Sequence, residues 1–194
     1  MKRLLITGFE PFGKETVNPS WEAVSRLPSE VGGYSLTKLL LPVVFGKAFD
    51  IVVREAERIN PDVILCIGQA GGRSAITPEL VGINLRHADI PDNEGFRPCD
   101  EFIIKNGDAA YFATVPARRI AEAIKASDIP SSVSYSAGTY VCNDILYSLL
   151  GKYENSDTRV GFIHVPHSEV QGKEPCMKLT DIVKALTVAI ENLD

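Results

Sequence analysis

The sequence has no apolar run long enough to span a bilayer, and its basic residues form no cluster. Without a basic patch or alternating basic and aromatic residues, a nucleic-acid partner is not expected. Without a long apolar run, a membrane partner is not expected either. The apolar stretch at residues 4–6 is too short for a signal peptide, because Gly-Phe-Glu follows almost at once. These absences predict a cytoplasmic protein.

Cysteine is scarce, and no two cysteines form a CxxC pair. The cysteines are Cys66, Cys99, Cys142 and Cys176. Their wide spacing argues against a zinc ribbon or a thioredoxin-type motif, and free thiols are expected in a reducing compartment. Cys66 lies in an apolar segment and is predicted to be structural, whereas Cys99 and Cys176 lie in loop-like segments.

The composition is that of a soluble globular protein, with 45% hydrophobic and 23% charged residues among 194. The net charge of −5 is spread along the chain and favours solubility rather than recognition. There is no internal repeat and no linker. The length therefore predicts a single domain over residues 1–194.

Apolar segments alternate with amphipathic ones along the chain. Strands are predicted at residues 3–7, 35–44, 62–68, 132–135 and 159–165, and helices from Asn18 onward and at 47–59, 116–127, 142–150 and 178–193. Continuous apolar strands between helices predict a three-layer open sandwich with a twisted, mostly parallel sheet and helices on both faces. Residues 80–108 are less regular, and the turn signal at 90–95 predicts an excursion with short strands.

Four segments are expected to meet at one rim of this sheet, because ligands bind beyond the carboxyl ends of parallel strands. The segments are 8–13, 68–73, 136–143 and the strand end at His164. Cys142 falls where a turn enters a helix, so unpaired N–H groups and the helix dipole favour its thiolate. The alternative is an inert core cysteine, since Ile145, Leu146 and Leu149 share its helix face.

His164 ends an apolar strand, which fits either a core histidine or the base of a Cys-His pair. The other two histidines, His87 and His167, are interpreted as surface residues. A carboxylate near the rim would fix the imidazole tautomer. Spacing alone does not choose among the candidates Glu10, Glu79, Asp89, Asp92 and Glu94.

The loop at residues 8–13 carries two glycines around a bulky Phe-Glu-Pro-Phe interior. It lacks the GxGxxG order, and no helix follows at once, so it is a poor phosphate cradle. Phe9 and Phe12 fit better as walls of a small, flat, apolar pocket. The alternative is that both rings only fill the core.

With these motifs in order, the sequence resembles pyroglutamyl peptidase type I, also called pyrrolidone carboxyl peptidase, a cysteine peptidase family. The resemblance runs nearly end to end. The matching segments are residues 7–13, 18–21, 68–73, 90–93, 136–143 and 161–166. It implies a cysteine exopeptidase that releases an N-terminal pyroglutamyl (5-oxoproline) residue from peptides through a thioester acyl-enzyme.

The resemblance also implies the roles of individual residues. It makes Cys142 the nucleophile, His164 the base and Glu79 the orienting acid. The residues implied to line the lactam pocket are Phe9, Phe12, Gln69 and Val141. No metal or organic cofactor is implied, and a homo-oligomer, either a homotetramer or a dimer, is expected.

Three positions depart from the family pattern. Asp89 stands where members typically carry Arg, Leu80 stands where Arg is frequent, and residues 152–158 are shortened. Arg73 and Arg86 are candidates to supply the missing charge. The departures leave open a thiol hydrolase for another small lactam or amide, and a catalytically silent ligand-binding domain. A nucleoside-phosphorylase-like enzyme is disfavoured because no phosphate site is evident.

Overall fold

The computed structural model describes residues 1–194, which form five helices and ten strands. The helices are α1 (Pro19–Arg26), α2 (Lys47–Ile59), α3 (Ala117–Ala126), α4 (Val141–Lys152) and α5 (Leu179–Glu191). The strands are β1 (Lys2–Phe9), β2 (Glu30–Val31), β3 (Tyr34–Leu41), β4 (Val63–Gln69), β5 (Thr77–Pro78), β6 (Val81–Ile83), β7 (Ala110–Phe112), β8 (Arg159–Val165), β9 (His167–Ser168) and β10 (Cys176–Met177).

The main sheet has six strands in the order β2-β3-β1-β4-β8-β5. Its four central strands are parallel, and the short edge strands β2 and β5 run antiparallel to their neighbours. This confirms the α/β fold with a mostly parallel sheet. The parallel centre places the carboxyl ends of β1, β4 and β8 side by side.

Both faces of the sheet are covered, because successive residues of its strands point to opposite sides. On one face, Leu4 and Ile6 of β1 pack in a core with α1, α3 and α5. On the other face, Leu5 of β1 packs in a second core with α2 and α4. The predicted three layers are therefore present. None of the helices combines the length and apolar character that a membrane span requires.

Asn18 caps α1 as the sequence predicts. Its side-chain oxygen accepts a hydrogen bond from the Ser20 backbone N–H at 3.1 Å, and Pro19 occupies the first helical turn. The amide nitrogen of Asn18 donates to the Glu10 carbonyl at 2.9 Å. The cap thus also fixes the loop that follows β1.

The predicted strand at residues 132–135 is wrong. This segment lies beside residues 76–80, and the Ser134 N–H donates to the Pro78 carbonyl while the Leu80 N–H donates to the Ser134 carbonyl. Pro78 has no N–H to continue the ladder, so only two isolated bridges form, Ile76 with Ser131 and Glu79 with Ser134. The segment nevertheless leads the chain to the start of α4.

The excursion at residues 84–108 lies between β6 and β7, which pair with each other. Its tight turn is organised by Asp92, as the turn signal indicates. One Asp92 carboxylate oxygen accepts from the N–H groups of Glu94 and Phe96, and the other accepts from the Phe45 N–H. The excursion is thereby fixed to the loop before α2, at the same end of the sheet as the rim.

Candidate active site

Cys142 is the second residue of α4 and is half-buried. The first turn of this helix is anchored on both sides. The Asn143 side chain bonds the Ile83 N–H and the carbonyls of Ile83 and Leu85, each at 2.9–3.0 Å. The Asp144 carboxylate accepts from Arg86 and from the Gly46 N–H at 2.5 and 2.9 Å. The sulfur is therefore presented by a rigid platform.

The Cys142 thiol lies over the carboxyl end of β4. A Cβ atom added to Gly68 would lie 2.9 Å from Cys142 Sγ and 2.6 Å from Phe162 Cζ, so only glycine leaves room for the sulfur. Gly68 is the register partner of His164 on β8, and paired residues of parallel strands face the same side. His164 and Cys142 therefore share the α4 face of the sheet at neighbouring strand ends.

The imidazole of His164 is held by Glu79. His164 Nδ1 lies 2.7 Å from Glu79 Oε1, and both side chains are almost completely buried, at 4% and 0% exposure. The same carboxylate oxygen accepts from Arg73 Nη1 at 2.7 Å. Arg73 in turn donates to the Ser136 carbonyl at 3.0 Å, on the loop that leads to Cys142.

The charges in this group follow from its contacts. Burial acts to raise the pKa of Glu79, but its hydrogen bonds with His164 and with the positively charged Arg73 outweigh burial and keep the pKa below its usual value. Glu79 is therefore ionised. Burial lowers the pKa of His164, and Glu79 opposes this only in part, so the imidazole is neutral near pH 7. An ionised Glu79 accepts the Nδ1 proton, which leaves Nε2 as the basic nitrogen.

The resting thiol differs from the expected thiolate. Burial, and to a lesser degree the negative charge of Glu79 and the Cys66 thiol, raise the pKa of Cys142 to about 12, while the charge of Arg73 acts to lower it. Burial is thus the largest influence on the pKa of this thiol. A neutral thiol and a neutral imidazole on the same face of the sheet are the state that this arrangement favours before a ligand enters.

A small apolar pocket opens beside the sulfur. It encloses about 280 Å³, part of it open to solvent. Its lining consists of Phe9, Phe12, Asn18, Val43, Gln69, Tyr140, Val141 and Cys142. Six of these eight residues are hydrophobic, and Asn18 and Gln69 supply the polar groups. All four residues implied to line a lactam pocket are among them.

The helix start also offers unpaired donors. The backbone N–H groups of Val141 and Cys142 make no hydrogen bond within the chain, and the cap residue Tyr140 provides no side-chain acceptor. Such N–H groups at a helix N-terminus attract negative charge. They lie directly beside the sulfur and the pocket.

Comparison with known proteins agrees with this geometry. A family model described as pyroglutamyl peptidase matches residues 2–194. The pyrrolidone-carboxylate peptidase of Staphylococcus saprophyticus is 49% identical, covering 97% of this chain and 92% of its own length. The chain belongs to the pyroglutamyl peptidase family. The corresponding protein of Brachyspira hyodysenteriae is 48% identical, with 97% of each chain covered.

A solved structure supports the same assignment. Pyroglutamyl peptidase I of Bacillus amyloliquefaciens superposes with a TM-score of 0.95 at 46% identity, covering 100% of this chain and 97% of its own. The α/β fold is thus shared with a pyroglutamyl peptidase over the whole chain.

None of the positions that depart from the family pattern lines the pocket, and residues 152–158 lie at the end of α4 opposite Cys142. Asp89 is 97% exposed and points to solvent, so it does not replace an arginine inside the site. Arg73 and Arg86 both bind buried carboxylates, those of Glu79 and Asp144. Of these two, Arg73 supplies positive charge to the His164–Glu79 pair.

The remaining candidate carboxylates have other contacts. Asp92 organises its turn, and Glu94 forms an exposed ion pair with Lys47. Glu10 contributes its backbone carbonyl to the cap of α1. His87 and His167 are both half-buried. His87 lies beside Asp100, and His167 packs against Gly71 with its Nδ1 atom buried, so the interpretation of His167 as an exposed residue is wrong.

Sequence reasoning missed several residues that line this pocket. Val43 and Tyr140 line the pocket, and Asn18 was interpreted only as a helix cap. Tyr140 directly precedes the observed start of α4 and could have been found by its place in the rim segment 136–143. Val43 lies after β3 and carried no polar signal, so only the three-dimensional arrangement brings it to the pocket.

Proposed function

We propose that this chain is a cysteine exopeptidase that hydrolyses the bond after an N-terminal pyroglutamyl residue. One observation carries the proposal: the Cys142 thiol forms part of an apolar pocket and shares a sheet face with the hydrogen-bonded His164–Glu79 pair. Family membership supports it, because the similar proteins are named pyrrolidone-carboxylate peptidases.

In the proposed first step, Cys142 Sγ attacks the carbonyl carbon that joins pyroglutamate to the next residue. Because the resting thiol is neutral, its proton passes to His164 Nε2 as the carbon–sulfur bond forms. Glu79 stabilises the resulting imidazolium and keeps the ring oriented. Arg73 holds Glu79 in place from the other side.

The negative charge on the former carbonyl oxygen is received by the Cys142 N–H in this proposal, with the Val141 N–H beside it. Losing one such donor typically costs about 2.7–4 kcal/mol of transition-state stabilisation. His164 then gives its proton to the leaving amine, and a thioester remains. Water attacks the thioester with His164 as base, which releases free pyroglutamate and restores the thiol.

Specificity follows from the pocket lining. A pyroglutamyl terminus is a flat lactam without a charged amine, and Phe9, Phe12 and Tyr140 offer apolar surface to it. A charged N-terminal amine would lose its water without gaining a partner. The amide oxygen of Gln69 accepts from Gln171 at 3.1 Å, which leaves its amide nitrogen to donate to the lactam carbonyl.

Hydrolysis of pyroglutamyl, prolyl and alanyl fluorogenic amides tests this function. We expect turnover of the pyroglutamyl amide alone, and its loss by at least about 10⁴-fold in Cys142→Ala. Cys176→Ala is the matched control and keeps wild-type turnover.

Three other outcomes would contradict the proposal in different ways. Preference for another amide would favour a different lactam or amide hydrolase. Pyroglutamate binding without turnover in the wild type would favour a silent binding domain. Turnover that survives Cys142→Ala would remove this residue from its role.

We also propose that residues 1–194 act as one catalytic domain in the cytoplasm and assemble as a homotetramer or dimer. Exposed apolar side chains, including Phe102 and Phe112 at 71% and 70% exposure, offer surface for self-association. Light scattering distinguishes these assemblies from a monomer, and cell fractionation tests the compartment.

A further inference from the structure

The excursion at residues 84–108 brings together three kinds of metal-ligating side chain away from the thiol site. One donor atom each from His87, Cys99 and Asp100 lie within 4.8 Å of one another. Within this cluster, His87 Nδ1 is 2.9 Å from Asp100 Oδ1. Cys99 and Asp100 are exposed and His87 is half-buried, so a solvent ion can reach all three.

The backbone explains why two consecutive side chains face one histidine. Arg86 and Glu101 exchange both backbone hydrogen bonds, at 2.7 and 3.0 Å, as in an antiparallel ladder. The next regular acceptor for the Ala88 N–H would be the Cys99 carbonyl, but Ala88 donates to Pro98 instead, at 3.0 Å. Two residues, Cys99 and Asp100, thus stand opposite the single residue His87, as in a β-bulge. A bulge changes the direction of the side chains in it, which accounts for both of them facing His87.

The cluster is held in place from outside. The His87 N–H donates to the Thr139 carbonyl at 3.0 Å, and the Thr139 hydroxyl donates to the His87 carbonyl at 2.9 Å. Arg97 bonds the Ala88 carbonyl at 3.0 Å from the other arm of the excursion. The three ligands therefore need little rearrangement to converge on an ion.

We propose that His87, Cys99 and Asp100 form a binding site for a divalent transition-metal ion of the zinc class. Imidazole nitrogen, thiolate sulfur and carboxylate oxygen are the ligands that Zn²⁺ takes, with water completing a tetrahedron. Metal–ligand bonds of about 2.0–2.3 Å separate ligand atoms by roughly 3.3–3.7 Å, so the cluster must contract by only about 1 Å.

Binding replaces protons with the ion. The Cys99 thiol loses its proton to solvent. His87 binds the ion through Nδ1 in the neutral tautomer that carries its proton on Nε2, so the ion replaces the hydrogen bond between His87 Nδ1 and Asp100 Oδ1. Asp89 Oδ1 lies 3.8 Å from His87 Nε2, beyond hydrogen-bond distance, and adds negative charge near the cluster. The ion would join the two arms of the excursion, and the proposed hydrolysis does not depend on it.

Cobalt titration of the full-length protein tests the site, because thiolate–Co²⁺ charge transfer gives an absorption band that reports sulfur ligation. The titration uses the Cys142→Ala background, which removes the thiol of the pocket. We expect one equivalent of Co²⁺, displaced by Zn²⁺, with a rise in melting temperature on binding. His87→Ala and Cys99→Ala should each weaken binding by at least about tenfold.

Cys176→Ala is the matched control, since Cys176 is the other accessible thiol outside the pocket and has Glu174 beside it. It should keep both the band and the affinity. Absence of the band in the parent protein, its survival in Cys99→Ala, or its loss in Cys176→Ala would each overturn the proposal. Circular dichroism of every variant establishes that it is folded. Asp100→Asn, a near-isosteric change, provides a further ligand variant and should also weaken Co²⁺ binding.

Discussion

At the scale of single residues, Glu79 makes the contacts that set the chemistry of the site. Its Oε1 atom lies 2.7 Å from both His164 Nδ1 and Arg73 Nη1, in a completely buried position. An ionised carboxylate there fixes the imidazole tautomer and, in the proposed mechanism, balances the charge that the imidazole gains during attack.

Glu79→Gln is expected to reduce kcat for pyroglutamyl amides by about 10³–10⁴-fold, because the amide no longer enforces the required tautomer. Steady-state kinetics measures the effect. Glu94→Gln is the matched control, since Glu94 is an exposed acid paired with Lys47. Equal losses in the two variants, or no loss in Glu79→Gln, would contradict the role proposed for Glu79.

The pH dependence of kcat/KM gives an independent check of the interaction between Glu79 and His164. Burial lowers the pKa of His164 below its usual 6.5, and Glu79 raises it in part. The base is active when unprotonated, so kcat/KM should fall only as the pH drops through this lowered pKa. Removing the negative charge in Glu79→Gln lowers the pKa of His164 further, so the acid limb should move to lower pH. Movement to higher pH would contradict this electrostatic account.

Sequence reasoning reached much of the site at this scale, but not its charge state. The turn-to-helix position of Cys142 and the strand-end position of His164 are visible in the sequence. Choosing Glu79 from the candidate carboxylates required the family resemblance. The expected thiolate was inferred from the helix start alone, whereas burial against the sheet, which no local motif reveals, raises the pKa of Cys142 to about 12.

At the scale of secondary-structure elements, the site depends on how α4 meets the end of β4. Gly68 is the contact point, because any side chain there would meet the Cys142 sulfur and the Phe162 ring. Phe162 in turn packs on His164, with ring centroids 4.8 Å apart. A side chain at Gly68 would therefore displace both the Cys142 sulfur and the Phe162 ring on which His164 packs.

Gly68→Ala is expected to displace the thiol, lowering kcat/KM by at least tenfold while costing about 1–3 kcal/mol of stability. Gly151→Ala is the matched control. Gly151 lies on α4, the helix that carries Cys142, and the new methyl group there would meet only the edge of the Tyr111 ring, 3.0 Å away. Activity per folded molecule, with denaturant unfolding alongside, separates the two effects. Normal activity in folded Gly68→Ala would show that the sulfur is not held against β4 as described.

The predictability of the elements follows their hydrophobic patterning. The helix at 47–59 and the strand at 159–165 are predicted with their observed bounds, because their apolar periodicity is strong. The segment 132–135 is mispredicted because its ladder is interrupted by Pro78, which lies more than fifty residues away in sequence. The two-residue strands carry too little pattern to be recognised.

At the scale of the whole molecule, the sheet order brings together what the sequence separates. The carboxyl ends of β1, β4 and β8 carry Phe9, Gln69 and His164, and α4 adds Cys142 beside them. The alternation of strands and helices in the sequence predicts this edge of the sheet in outline, because it predicts that the four rim segments meet there. The position of Val43 in the pocket and the bulge around Cys99 depend on long-range pairing, which sequence patterns do not encode locally.

The account depends most on Cys142 acting as the attacking atom. The direct measurement is to inactivate the protein with a pyroglutamyl chloromethyl ketone and map the adduct by mass spectrometry among the four cysteines. We predict one adduct, on Cys142, that grows in step with the loss of activity and is slowed by free pyroglutamate. Inactivation with the adduct on another residue, or full modification of Cys142 with activity intact, would contradict the account.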